Sequence, residues 1–208
     1  MPKATFFNLP DEKRERIIDL AVGEFERLPY DKASVNRIVR DSGIAKGSFY
    51  QYFEDKLDLY TYVIHLIVEE KLKYLSPLLG NSENEGFFKV IEALFKSGIQ
   101  FAVEHPRYVN ISKIFMADTA SPIYAGVVKA NLHKSHEIYR QLISQGIERG
   151  ELRSDLDVDF LAHLMTDMNY SVVDYVKKIR GNILDESLVD FLRGFLSYLE
   201  KGIGNPQE

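Results

Sequence analysis

The sequence predicts an all-α protein, and two observations carry this prediction. No segment shows the sustained alternation of apolar and polar residues that a half-buried β-strand requires. Apolar side chains instead recur at helical spacing, as in Ile17, Ile18, Ala21, Phe25 and Leu28. With 208 residues, 45% hydrophobic and 27% charged, the chain has the composition of a globular protein, which excludes the disordered and fibrous classes.

Three short helices are predicted near the amino terminus. The first begins after Pro10, since proline and the acids that follow it suit a first helical turn, and it ends at Pro29. Ser34 is expected to cap the second helix, and Gly43 is expected to end it by adopting a positive φ. The third helix is then expected over residues 45–52.

Longer helices are predicted for the rest of the chain. Glycine, proline and polar residues mark the breaks between them, and the clearest linker is "GNSENEG", residues 80–86. The predicted helices cover residues 55–79, 86–104, 107–118, 122–149, 156–180 and 185–202.

Cysteine content and the amino-terminal sequence restrict the class of protein. Cysteine is absent, which excludes a disulfide framework, cysteine–zinc sites and thiol catalysis. The start, "MPKATFFNLPDEKRER", lacks the apolar core of a signal peptide, and no apolar run approaches the ~18 residues of a membrane span. We therefore expect a soluble, cytoplasmic protein without a membrane partner.

The charge distribution supports nucleic-acid binding only where basic residues are concentrated locally. The net charge of −5 disfavours an acidic partner for the chain as a whole. Within residues 35–52, however, the bases Arg37, Arg40 and Lys46 stand against the single acid Asp41, which gives a local charge of +2.

The segment "IAKGSFYQYFEDK", residues 44–56, places four aromatic residues in five positions. Phe49 and Phe53 are four residues apart and share a helix face, so they are predicted to dock, with Ile44, onto the first two helices. Tyr50 and Tyr52 are then left for other faces.

The polar residues of this segment suit contacts to DNA. Lysine and serine can bind base edges or phosphates, tyrosine hydroxyls suit phosphate oxygens, and Gly47 allows a close approach of the backbone to another surface. Three short helices with a glycine turn form the layout of a helix-turn-helix. The alternative is a corner of the core with Tyr50 and Tyr52 half exposed.

The longer stretch "ASVNRIVRDSGIAKGSFYQYFEDKLDLY" resembles the DNA-binding signature of the TetR (tetracycline-repressor) family of bacterial regulators. The resemblance covers about residues 10–60 and depends on Gly43, Ile44, residues 46–48, Phe53 and Lys56 being in register. Ala45 departs from it, where a capping Ser or Thr is common, as does Pro29, where glycine is usual. The resemblance implies a helix-turn-helix DNA-binding domain over residues 1–56 and a helical ligand-binding and dimerisation domain over residues 57–208.

The resemblance also assigns DNA contacts residue by residue. The base-reading positions are Lys46, Gly47 and Ser48. The phosphate-contacting positions are Ser34, Tyr50, Tyr52 and Lys56. Positions that contact DNA in some members are Asn36, Arg37 and Gln51.

By resemblance, the chain is a ligand-responsive regulator. We expect a repressor that binds a palindromic double-stranded operator as a homodimer and is released by a small apolar or amphipathic effector. The alternative, a helical dimeric adaptor or scaffold without DNA binding, leaves the residues from Lys46 to Lys56 unexplained.

Two apolar stripes supply candidates for the dimer interface, although a monomer could bury both stripes in its own core. The candidates are Leu161, Val172, Leu188, Leu192, Phe195 and Leu199. A ligand pocket is expected between helices of residues 86–180, with ordinary core packing as the alternative. Its candidates are Phe95, Phe115, Met116, Tyr124, Met165, Met168 and Asn169.

Histidine spacing and known catalytic motifs favour neither a cofactor nor an enzyme. His133, His136 and Glu137 lie near one helix face, and His163 and Asp167 form a second group. These spacings could bind a divalent metal, but without a further fixed ligand they favour solvated surface histidines. GxGxxG, a phosphate-binding loop and a nucleophile elbow are all missing. We expect no metal, no other cofactor and no catalysis.

Overall fold

The computed structural model describes residues 1–79, 85–119, 123–124, 126, 129–180 and 186–203. Over these residues the chain is helical and contains no β-strand, which confirms the predicted all-α class. The α-helices are α1 (Ala4–Phe7), α2 (Asp11–Arg27), α3 (Val35–Ser42), α4 (Lys46–Tyr52), α5 (Lys56–Leu79), α6 (Phe87–Glu104), α7 (Pro106–Ala117), α8 (Lys129–Glu148), α9 (Val158–Arg180) and α10 (Glu186–Ile203). A 3₁₀ turn, Tyr30–Lys32, precedes α3.

Most predicted helices agree with the observed ones to within two residues at each end. Pro10 occupies the N-cap of α2, and His105 with Pro106 separates α6 from α7. The four-residue helix α1 was not predicted, because a single turn leaves no periodic pattern. The predicted breaks at residues 80–84, 121–122 and 181–185 lie outside the described residues.

The described helices pack as two compact units. The first comprises Met1–Glu70 and His105–Lys129, and the second comprises Lys71–Glu104 and Ala130–Glu208. Helix α5 contributes residues to both units.

The first unit is built around α2, whose inner face carries the buried side chains Ile17, Ala21 and Phe25. This helix packs against α3 and α7. The ring centroids of Phe25 and Tyr60, a residue of α5, lie 4.6 Å apart. These contacts fix the short helix α3 against the longer α2.

An ion-pair cluster attaches α7 to α2. The Arg107 guanidinium donates to Glu26 Oε2 at 3.1 Å and to the Asp19 carbonyl at 2.9 Å, and it also contacts the Asp19 carboxylate. Asn110 donates to Glu26 Oε1 at 3.2 Å. The packing units thus differ from the division expected after residue 56, because α7 packs with the amino-terminal helices. The functional division at that residue stays a prediction.

The second unit packs α6 against α9 and α10. The ring centroids of Phe95 and Phe195 lie 5.4 Å apart across this contact. Its most deeply buried side chains include Phe87, Ile91, Phe95, Ile143, Ala162, Met165 and Leu192. None of the helices in the described part of the chain is both long enough and apolar enough to cross a membrane.

Candidate nucleic-acid interface

A glycine turn joins α3 to α4. Gly43 has φ of +71°, a left-handed conformation that disfavours residues with a Cβ, and its N–H donates to the Arg40 carbonyl at 3.2 Å. Ile44 follows at 8% exposure and packs inward. The turn predicted at Gly43 is confirmed, and α3 and α4 form a helix-turn-helix.

The aromatic cluster on α4 places three rings in the core, where two were predicted. Phe49 and Phe53 have no exposed surface, as predicted, and their ring centroids lie 5.5 Å apart. Tyr50 is 48% exposed. Tyr52 is only 7% exposed, and its ring lies 6.2 Å from that of Phe6 in α1. The prediction that Tyr52 faces away from the core is wrong for its ring, because α1 covers that face of α4.

The first turn of α4 presents the predicted base-reading residues to solvent. Lys46 and Gly47 are exposed, and Ser48 is half-buried. A Cβ built on Gly47 would meet no atom of the described residues within 4 Å, so none of them excludes a larger residue there.

A buried glutamate in α2 binds the backbone at the start of α3, a contact that was not predicted from the sequence. Glu24 of α2 is 4% exposed, and its Oε1 accepts from the Ser34 N–H at 2.7 Å and from Arg37 Nε at 2.8 Å. Ser34 occupies the N-cap of α3 as predicted, but its side chain makes no capping hydrogen bond. The signal in the sequence is a carboxylate between the buried positions Ala21 and Phe25.

Arg37 and the Ser34 N–H stabilise the charged form of this glutamate. Burial raises the pKa of Glu24, but the hydrogen bonds from Arg37 and the Ser34 N–H, together with the arginine charge, outweigh burial and leave the pKa below its ordinary value. Arg37 also donates to the Lys32 carbonyl at 2.9 Å. The predicted DNA contact of Arg37 thus competes with bonds inside the chain, whereas Asn36 and Gln51 are exposed.

Lys56 points into the chain. Its Nζ donates to the carbonyls of Tyr30 at 2.7 Å and Ala33 at 3.2 Å, with the Asp31 carbonyl at 3.4 Å, and it lies 4.3 Å from the centre of the Tyr30 ring. The prediction of a phosphate contact did not anticipate these acceptors. The ammonium instead holds the 3₁₀ turn against the start of α5.

The ligand-pocket candidates divide between the two units. Phe115 is buried in the first unit and two others there are half-buried: Met116 and Tyr124. In the second unit, two candidates are buried in the core and Met168 packs against it: Phe95 and Met165. The side chain of Asn169 lies outside the described residues.

The dimer-interface candidates lie on α9 and α10, and those whose side chains are described belong to, or pack against, the core of their own chain. Three of them are buried in the core of their own chain: Leu161, Val172 and Leu192. Two more pack against that core: Phe195 and Leu199. The side chain of Leu188 lies outside the described residues. Among the side chains of these two helices that the structure describes, the exposed large apolar ones are Phe160, Leu164, Tyr175 and Tyr198. The dimer interface itself stays a prediction.

The histidine-containing groups do not assemble a metal site within the described ranges, where no cluster of three or more metal-ligating side chains is found. His136 Nε2 lies 3.1 Å from the Asp159 carbonyl. His163 lies 3.7 Å from Asp167, and both side chains are exposed. These contacts are those of ordinary surface histidines.

Comparison with known proteins places this geometry in a family. The profile described as "Bacterial regulatory proteins, tetR family" matches residues 17–63, the region that contains α3, α4 and the turn between them. A crystal structure of a TetR family transcriptional regulator from Chloroflexus aurantiacus J-10-FL shares 34% sequence identity and superimposes with a TM-score of 0.82. That similarity covers 99% of this chain and 100% of the other.

Two further relatives are more distant. The HTH-type transcriptional repressor KstR2 of Mycobacterium tuberculosis is 20% identical over 167 residues, which is 80% of this chain and 82% of that protein. The transcriptional regulator FadR from Bacillus subtilis, solved in complex with stearoyl-CoA, is 19% identical with a TM-score of 0.70, covering 91% of this chain and 98% of the other. The chain spans half the length of a curated Staphylococcus aureus regulator that it matches.

The full-length relative with 34% identity and the profile match over the helix-turn-helix agree with each other. They favour a DNA-binding regulator over a helical adaptor without DNA binding. The chain belongs to the TetR family of bacterial transcriptional regulators.

Proposed function

We propose that the protein is a ligand-responsive repressor that binds a palindromic operator as a homodimer and leaves it when a small apolar or amphipathic molecule binds. The observation that carries the DNA-binding role is the division of α4 into two parts. Phe49 and Phe53 are fully buried, while Lys46 and Gly47 are exposed on the preceding turn. One relative, KstR2, is a repressor, and this supports repression as the direction of regulation.

The exposed side chains of the helix-turn-helix divide by chemistry. Lys46 and Ser48 have donors that suit base edges in a major groove, and Gly47 permits a close approach of the backbone. The exposed Tyr50 hydroxyl suits a phosphate, which fixes position without reading sequence. We omit Lys56 from the proposed DNA contacts because its donors are directed to carbonyls.

The proposed homodimer uses the outer faces of α9 and α10. Phe160 and Leu164 are 59% and 38% exposed, and they lie one turn apart on α9. Tyr198 on α10 is 78% exposed. Large apolar side chains with this exposure are stabilised when a second surface covers them. A two-fold axis would then supply two recognition helices for one palindrome.

The proposed effector is apolar or amphipathic because the described core of the second unit is apolar. Phe95 and Met165 are buried there, and Met168 lies at the edge of that core. The structural relative FadR was solved with stearoyl-CoA, an amphipathic thioester. An effector releases DNA only if it favours a conformation that binds DNA less well. We assign no enzymatic reaction to the chain and place its action in the cytoplasm.

The test begins by selecting binding duplexes from a random library with the full chain, followed by footprinting at fixed salt. We expect a palindrome whose half-sites are separated by whole helical turns, and altered base preference in Lys46→Ala and Ser48→Ala. Stearoyl-CoA is then added, with free coenzyme A as the control. Equal affinity for all duplexes would overturn specific recognition. An acyl-CoA, fatty-acid and aromatic panel that releases no DNA would overturn the effector class.

A further inference from the structure

The carboxyl end of the recognition helix α4 is closed by residues from the amino terminus of the chain. The last carbonyls of an α-helix have no partners within the helix and need hydrogen-bond donors from elsewhere. In a helix of seven residues these carbonyls make up about half of the total. How they are satisfied therefore decides how well the position of α4 is defined.

Residues 3–5 bond three successive carbonyls at this end. Lys3 Nζ donates to the Tyr50 carbonyl at 3.0 Å, and the Lys3 N–H donates to the Tyr52 carbonyl at 2.8 Å. Between them, the Thr5 hydroxyl donates to the Gln51 carbonyl. The bonds span more than forty positions in sequence, so they form a tertiary cap.

Phe6 anchors this cap in the core. Its side chain has no exposed surface, and its ring centroid lies 4.8 Å from that of Phe53 and 5.8 Å from that of Tyr62. Release of residues 3–5 from α4 would pull on a fully buried phenylalanine. The cap is therefore held by apolar burial as well as by hydrogen bonds.

The positive charge of Lys3 strengthens this cap on the side of α4 where DNA is expected. The carboxyl end of a helix carries about half a negative charge, and Glu54 follows directly. Lys3 Nζ lies 2.9 Å from Glu54 Oε2 as well as 3.0 Å from the Tyr50 carbonyl. The ammonium thus compensates two sources of negative potential that would repel a phosphate near Tyr50.

We propose that Lys3 and Thr5 are positioning residues for operator recognition, which hold the far end of α4 so that Lys46 and Ser48 meet the base edges in a fixed register. The role rests on the proposed operator binding. It is distinct from a DNA contact because the donors of Thr5 and of the Lys3 backbone are already used within the chain.

The test uses paired variants of the full chain. Thr5→Val removes the hydroxyl and keeps the side-chain shape, while Thr5→Ser restores a hydroxyl. Lys3→Met removes the ammonium, Lys3→Arg keeps the charge, and Lys134→Met, at an exposed position on α8, is matched to it for loss of one charge. The probe is the duplex selected by the wild-type protein, compared with a scrambled duplex of equal length.

We expect Thr5→Val and Lys3→Met each to lower the affinity for the selected duplex by about three- to tenfold relative to the scrambled one, as for loss of one hydrogen bond. Amide hydrogen exchange at residues 50–53 should accelerate by a similar factor. The salt dependence of binding should stay unchanged for Thr5→Val. Thr5→Ser, Lys3→Arg and Lys134→Met should resemble the wild type in specificity and exchange.

Two results would overturn the positioning role while leaving DNA binding intact. One is unchanged specificity and exchange in Thr5→Val and Lys3→Met. The other is a Lys3→Met variant with normal exchange whose salt slope falls by about one, which would identify Lys3 as a phosphate contact. If the wild-type protein selects no duplex at all, the operator-binding function itself fails, and the positioning role fails with it.

Discussion

At the scale of single residues, the Glu24–Arg37 pair links α2 to the beginning of α3. Glu24 is almost fully buried, whereas the Arg37 side chain is 43% exposed and keeps contact with water. Glu24 also accepts from the N–H of Ser34, the N-cap residue, whose own side chain makes no capping bond. A buried carboxylate thus fixes one end of a helix whose other end adjoins the recognition helix.

This pair predicts a pH-dependent contribution to stability. Glu24 has a folded-state pKa below its ordinary value of 4.5. Its contribution is therefore present above about pH 4.5 and is lost as the pH falls through the lowered pKa. At pH 7 we expect Glu24→Gln to lower the free energy of unfolding by about 1–2 kcal/mol, a value reduced by the exposure of Arg37.

Denaturant unfolding of the wild type and Glu24→Gln between pH 7 and pH 3 measures this contribution. The difference between the two proteins should shrink toward acid pH. A constant difference across this range would show that the loss comes from packing and that the charge contributes nothing.

The exposed Tyr50 hydroxyl is expected to contact a phosphate, and such a contact raises the affinity for all DNA sequences equally. Its ring packs edge-on against Phe49, with centroids 5.2 Å apart, and nearly half of the residue is exposed. Tyr50→Phe keeps the ring and removes the hydroxyl, so we expect about a three- to tenfold loss of affinity with the ratio between duplexes unchanged. Competition binding of the selected and scrambled duplexes checks this. A changed ratio would instead indicate base reading by Tyr50.

The aromatic cluster shows how far the sequence could predict single residues. Spacing identified Phe49 and Phe53 as core, because residues four apart share one face of a helix. The same reasoning left Tyr52 outside the core, because the surface that covers it comes from Phe6 in the unpredicted helix α1. Local spacing indicates which face is apolar, but it cannot show that a distant segment covers a second face.

At the scale of elements, the short helices of the first unit depend on caps made by distant side chains. The sequence predicted α3 and α4 and the turn at Gly43, since each has a local signal. It did not predict that Glu24 bonds the start of α3 or that residues 3–5 close α4. Tertiary caps join residues ten to fifty positions apart, and no local pattern records them.

Lys56 belongs to this class of contact, which predicts a structural effect on substitution. Lys56→Met removes the ammonium that joins the Tyr30 and Ala33 carbonyls to the start of α5. We expect a loss of about 1–3 kcal/mol in the free energy of unfolding, because two partly buried carbonyls each lose a charged donor. The salt slope of DNA binding should stay that of the wild type, measured below the unfolding midpoint.

The Lys134→Met variant controls for the change in net charge and should unfold like the wild type. A Lys56→Met variant with wild-type stability and a salt slope smaller by about one would restore the phosphate contact that the resemblance implied.

At the scale of the whole molecule, the interface residues predicted from the sequence are needed for the core of the chain, and the interface proposed above uses the outer faces of the same two helices. Periodicity finds the most apolar stripe of a helix, and a chain of this length needs that stripe for its own core. Leu161 and Leu192 are accordingly buried within the second unit. The proposed interface uses exposed residues instead: Phe160, Leu164 and Tyr198 are large apolar side chains whose exposure the sequence pattern alone does not reveal.

We expect a charge introduced on the exposed face of α9 and α10 to separate the dimer, and a charge introduced in their buried stripe to unfold the chain. Leu164→Glu combined with Tyr198→Glu alters exposed positions, so the fold should persist while the dimer separates. Two linked recognition helices bind more tightly than one, so operator affinity should fall by about a hundredfold or more. Leu192→Asp places a charge at a position without exposed surface and should destabilise the fold itself by more than about 4 kcal/mol. Sedimentation velocity at micromolar concentration, with circular dichroism for each variant, separates these effects. If Leu192→Asp gives a folded monomer while the double-glutamate variant remains a dimer, the interface is formed by the buried stripe and not by the exposed face.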